Sequence, residues 1–74
     1  MNDIEKTILK IVRERHLVRK SELLDVLKNN GFANIHKEKI KEGISSLIKM
    51  NYIISICPIG EESYTITQEG MRTL

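Results

Sequence analysis

Seventy-four residues with twelve Lys and Arg against ten Asp and Glu carry a net charge of +2, which reads as one small domain over residues 1–74, mildly basic and open to a polyanionic partner without demanding one. A lone cysteine, Cys57, excludes an internal disulfide and a thiolate zinc site. No apolar run approaches the roughly 20 residues a membrane-crossing helix needs, and a start that holds Asp3 and Glu5 does not look like a signal peptide.

These features predict a cytoplasmic protein in which Cys57 packs as a small apolar side chain in a strand. One core at this size supplies only about 3–5 kcal/mol net, so a homodimer is a natural expectation.

Ile4, Ile8, Ile11 and Val12 recur at helical spacing, with Asn2 or Asp3 as the cap and Glu5 in the first turn, where the helix dipole favours an acid. This predicts helix one over about residues 3–15. Leu9 lies roughly 100° off that stripe, which points it toward a hairpin or a second subunit.

Leu17 and Val18 read as a brief first strand. Helix two is expected near 20–30, with Leu23, Val26 and Leu27 inward and Gly31 free to take the left-handed stop. Phe32-Ala33 leads to Asn34 as N-cap of helix three, whose buried side is assigned to Ile40, Ile44 and Leu47. Gly43 interrupts that helix at a cost of about 0.5–1 kcal/mol, which marks a close approach to another backbone. Asn51 is the left-handed stop.

Tyr52 to Cys57 and Ser63 to Thr67 alternate as the two arms of a hairpin around the turn Pro58-Ile59-Gly60-Glu61-Glu62. Thr67 then caps a final helical turn or two that ends at Leu74.

A helix, short strand, two further helices, a hairpin and the closing stretch Tyr64-Thr65-Ile66-Thr67-Gln68-Glu69-Gly70-Met71-Arg72-Thr73-Leu74 resemble the winged helix-turn-helix superfamily over essentially the whole chain. The resemblance implies an α+β fold: a three-helix core, a short first strand, a C-terminal β-hairpin wing and a short C-terminal helical turn. It also implies a small transcriptional regulator that lays helix three in the major groove of duplex DNA. Relatives often place Ser or Thr where Arg19 stands, so the cap of helix two has no candidate in the sequence.

On that reading Lys37, Lys39 and Lys41 cluster at the N-terminal half of helix three, with Ser45 and Lys49 further along its exposed side. His36 lies at its start, while Arg19 and Lys20 grip a flanking phosphate from the start of helix two. The exposed face also holds Glu38 and Glu42, so it is mixed in charge. Its plain structural reading is a solvated face with helix-spaced pairs such as Glu38 with Lys41.

The wing tip offers Glu61 and Glu62 where minor-groove wings usually present cations. The rival reading is therefore a protein-interaction module built from the acidic wing, strand two and Leu9. Strand two supports it by being apolar on both faces, with Ile54 and Ile56 on one and Ile53 and Cys57 on the other. A homodimer would use helix one and the C-terminal segment.

His16 and His36 lack a partnered nucleophile, and the chain has no phosphate loop and no zinc spacing. No catalytic residue, metal, cofactor or small-molecule substrate is expected.

Overall fold

Asn2 begins the first helix by a reciprocal cap. Its side chain accepts from the Glu5 backbone N–H at 2.9 Å, and the Glu5 carboxylate accepts from the Asn2 N–H at 3.0 Å, so two orphan donors are satisfied together. The computed structural model describes residues 2–57 and 60–73. Pro58, Ile59 and Leu74, on which part of the turn and the end of the last helix were expected, lie outside the described residues.

Among those residues the domain is α+β, with four α-helices and a three-stranded antiparallel sheet. The order is α1 (Asp3–Arg15), β1 (Leu17–Arg19), α2 (Lys20–Leu27), a wide helical turn at Lys28–Phe32, α3 (Lys37–Lys49), β2 (Ile53–Ile56), β3 (Ser63–Ile66) and α4 (Gln68–Thr73). β3 is the central strand. It pairs Leu17 with Thr65 and Val18 with Tyr64 on one side, and Ile53 with Ile66 and Ile54 with Thr65 on the other.

One cluster forms the core: Ile4, Ile8, Leu9, Ile11 and Val12 of α1 meet Leu23 and Leu27, Ile40, Ile44 and Leu47, and Val18, Ile53 and Tyr64 of the sheet. Helix one thus buries more than a single stripe, because α2, α3 and the hairpin all close over it. Leu9, expected at a hairpin or a second subunit, is 0% exposed inside the single chain. Ile40, Ile44 and Leu47 point inward, as their spacing predicts.

Several local expectations change. α2 is regular only to Leu27; the backbone loosens over Lys28–Phe32 until Gly31 leaves the helix at φ +92°. α3 begins at Lys37, so the cap position falls on His36, two residues after Asn34, with no side-chain cap bond. Gly43 does make a close approach, but to side chains of α1: a Cβ there would lie 3.2 Å from Ile8 Cδ1. Cys57 follows the end of β2 and is exposed, not packed in a strand.

Asn51 takes φ +63° as expected, and the Tyr52 N–H reaches back to the Leu47 carbonyl at 3.0 Å, closing the end of α3.

The last helix is held by two residues that the sequence spaces three apart. The Thr67 hydroxyl oxygen accepts from the Gly70 N–H at 3.0 Å, and the Thr67 N–H donates to the Tyr52 carbonyl at 3.1 Å. Gly70 sits against that same carbonyl and against Ile66. No described helix is long and apolar enough to cross a membrane.

Candidate functional site

The start of α2 has a backbone need that its own sequence does not meet: Arg19 stands at the cap position and makes no side-chain cap bond. The missing acceptor comes from the hairpin. Glu61 Oε1 accepts from the Ser21 hydroxyl at 2.7 Å and lies 3.3 Å from the Ser21 N–H, while the Glu62 carbonyl accepts from the Lys20 N–H at 3.0 Å.

Glu61 therefore does locally what a cap residue does, from forty positions away. The hydroxyl bond first and the backbone bond next hold its carboxyl below the usual carboxylate range, against an opposing effect of burial and with the Arg19 charge adding least. A lowered folded-state pKa means the contribution is full above the ordinary value and is lost as pH falls through the lowered one. Glu61→Gln is expected to lower Tm at neutral pH, and the gap between variant and parent should close as the solution is acidified below pH 4.5, read by thermal melts across that range.

This clamp fixes a groove between α2, α3 and the hairpin, about 450 Å³ in volume. Lys37, Ile40, Lys41, Ile44, Ser45 and Ile48 form one wall, a single stripe of α3 at helical spacing. Lys20 and Leu24 come from α2, and Glu62 and Tyr64 from the hairpin.

Among the described residues, no carboxylate lies within ion-pair distance of Lys20, Lys37 or Lys41. The Glu62 carboxylate is turned to the hairpin, where it accepts from the Ser55 hydroxyl at 2.7 Å and interacts with the Tyr64 phenol. Both acids of the expected acidic wing are thus engaged inside the chain.

Burial first, then the Glu62 charge and the hydrogen bond to it, push the Tyr64 phenol up from 10.0 to about 12. The fold favours the neutral phenol, so the stability this supplies is full below pH 10 and lost as pH rises from 10 through 12. Solvent at the groove screens part of the effect, leaving about 1 kcal/mol. Urea melts between pH 9 and 12 should show this loss in the parent and not in Tyr64→Phe.

The fold separates the residues the sequence grouped. Lys20, Lys37, Lys41 and Ser45 share the groove. Lys39 does not, since it lies roughly 160° around α3 from both Lys37 and Lys41. The three lysines are therefore not one cluster.

Lys49 is exposed near the C-terminal end of α3, and His36 is exposed at its start. Arg19 faces Glu61 rather than the groove. Glu38 and Lys41 form no ion pair; among the described residues an ion pair joins Arg15 to Glu22 at 3.5 Å, with both side chains about half exposed, a geometry that contributes little.

The groove itself was not foreseen. Its signal was present in the sequence as the stripe Lys37, Ile40, Lys41, Ile44 and Ile48, but Ile40 and Ile44 read there as core. Among the described residues, no group of three His, Cys, Asp or Glu side chains is placed to hold a metal ion. Comparison of the chain with protein-family models, curated proteins and solved structures found no match.

Proposed function

We propose that the chain is a winged helix-turn-helix protein that binds duplex DNA as a small cytoplasmic transcription regulator, with α3 in the major groove and the β2–β3 hairpin as its wing. The order of elements supports this, as does the pairing of β1 with the base of the hairpin. The observation that carries it is the convergence of three unpaired ammonium groups, Lys20, Lys37 and Lys41, from two successive helices. They lie beside an exposed α3 face that holds Glu38, Glu42, Ser45 and Lys49.

In this role Lys20, Lys37 and Lys41 neutralise phosphates along one wall of the groove, and Ser45 and Lys49 meet base edges or the backbone further along. Lys39 and His36 are free to meet the opposite strand, because a helix in the major groove has phosphates on both sides. Glu38 and Glu42 suit cytosine amino groups and repel elsewhere, which favours selective over general binding. Glu61 of the hairpin turn is bonded to Ser21 of α2, so its carboxylate is not turned to the minor groove.

Paired sites, where used, should lie about 34 Å apart, one turn of duplex, a spacing that domains of 31 × 29 × 20 Å can occupy side by side. Helix one has its apolar residues inside. A pair contact between copies therefore belongs on the outer face of the sheet, where Leu17 and Ile54 flank Thr65 and stay half exposed, extended by Met71 of α4 if the C-terminal segment takes part.

The test is anisotropy of a labelled mixed-sequence duplex across a salt series. Affinity should fall linearly on log-log axes, and Lys20→Ala, Lys37→Ala and Lys41→Ala should each reduce the slope by about one. Absence of binding at low salt, or a slope indifferent to all three substitutions, defeats the reading.

A further inference from the structure

Phosphate gripping accounts for the cations of the groove and leaves its floor unexplained. Leu24, Ile40, Ile44 and Ile48 line it beside the lysines, and Ile48 is 38% exposed at the end of α3 away from Lys37. A phosphate backbone gains nothing from that surface, because charged oxygens lose hydration against it.

The stripe on α3 has a direction. Lys37 and Lys41 stand at one end and Ile44 and Ile48 at the other, spread over about 16 Å of helix. A cationic end and an apolar end in one trough complement a molecule with an anionic head and a hydrocarbon tail. The volume of about 450 Å³ falls within the roughly 300–1,000 Å³ of small-molecule sites.

We propose that this groove binds a small amphipathic carboxylate, its head held by Lys37, Lys41 and Lys20 and its tail laid on Ile44, Ile48 and Leu24. The Glu62 carboxylate does not compete for the lysines, since it is bonded to Ser55 and faces Tyr64. Because Lys20, Lys37 and Lys41 are also the proposed phosphate contacts, an occupied groove excludes DNA, and the carboxylate acts as an effector that releases it. The binding step stands without the DNA reading; only the release depends on it.

The experiment is a titration of the full chain, followed by backbone amide NMR, with octanoate below its micelle concentration, and in parallel with acetate and octylamine. Octanoate should shift amides of Lys20–Leu24 and Lys37–Ile48 saturably, while acetate, which has the head alone, and octylamine, which has the opposite charge, leave them unmoved. Lys37→Ala combined with Lys41→Ala should weaken binding at least about ten-fold, the scale of a lost charge-assisted contact. Ile48→Asp, at an exposed position that the fold tolerates, should weaken it similarly.

No saturable shift, equal shifts from octylamine, or affinity unchanged in both variants overturns the proposal. So does a concentration-dependent shift of the same amides without ligand, which would mean that a second copy fills the groove. A duplex bound in the anisotropy assay should be displaced by octanoate. If octanoate binds and no duplex does, the groove site stands and the DNA reading falls.

Discussion

Gly70→Ala should cost about 3 kcal/mol and lower Tm by roughly 10–20 °C. A methyl group there would press into the Tyr52 carbonyl and approach Ile66 Cδ1 at 2.7 Å. A side chain in the way can rotate aside, but the Tyr52 carbonyl is fixed: it accepts the Thr67 N–H, and Tyr52 itself closes the end of α3. Relief must come from moving α4, which breaks the Thr67 cap on the Gly70 N–H.

The contrast that isolates this cause is Gly31→Ala, where φ is +92° but nothing lies within 4 Å. Its cost should be about 1 kcal/mol, the ordinary penalty of a left-handed alanine. Urea denaturation followed by circular dichroism compares the two. Equal losses would mean that backbone freedom, not the contact with Tyr52, is why position 70 holds glycine. Amide exchange over Gln68–Thr73 shows whether α4 alone comes away.

Leu9→Ala should remove about 2–5 kcal/mol, most of what a core of this size supplies. The side chain is fully enclosed among α1 neighbours and the elements packed on them, and a domain with four helices and three short strands has little means of closing the cavity. The variant is expected to be largely unfolded at 37 °C.

The same substitution separates the two roles open to Leu9 from the sequence. As a core residue it destabilises the chain equally at every protein concentration. In a contact between copies its effect would grow as concentration rises, because only the parent gains stability from association, by mass action. Denaturation midpoints at two concentrations about fifty-fold apart read this directly, and a midpoint that moves with concentration in the parent but not in the variant would assign Leu9 to an interface.

The candidate site was legible in part. The inward set Ile40, Ile44 and Leu47 follows from helical period, so the outward position of the lysines on α3 follows too. Their grouping did not follow. Neighbours in sequence at positions 37, 39 and 41 are spread around the helix by about 100° per residue, and only the pair four apart, Lys37 with Lys41, shares a face. That this face meets Lys20 and an apolar floor depends on how α2 and the hairpin pack against α3.

The wing acids show the same limit. Glu61 and Glu62 read as an exposed acidic tip because nothing nearby in sequence pairs with them, yet Glu61 serves Ser21 and Glu62 serves Ser55. A polar side chain at a turn gives no local sign of a distant helix start with an unmet donor.

What the sequence determined by itself are the features whose signals are local: α1, with its cap narrowed to Asn2 or Asp3, the left-handed stops at Gly31 and Asn51, the inward stripe of α3, and the Thr67-x-x-Gly70 pattern of α4. Each is fixed by period, by capping chemistry or by a positive φ within a few residues. Only the tertiary structure decided that Leu9 is core, that Cys57 is exposed, that Glu61 caps α2, and that Lys20 joins Lys37 and Lys41 across an apolar trough. The reason is that burial and charge pairing depend on which surfaces meet. In a chain this short those surfaces come from elements forty or more residues apart, brought together by one shared core and not by their own propensities.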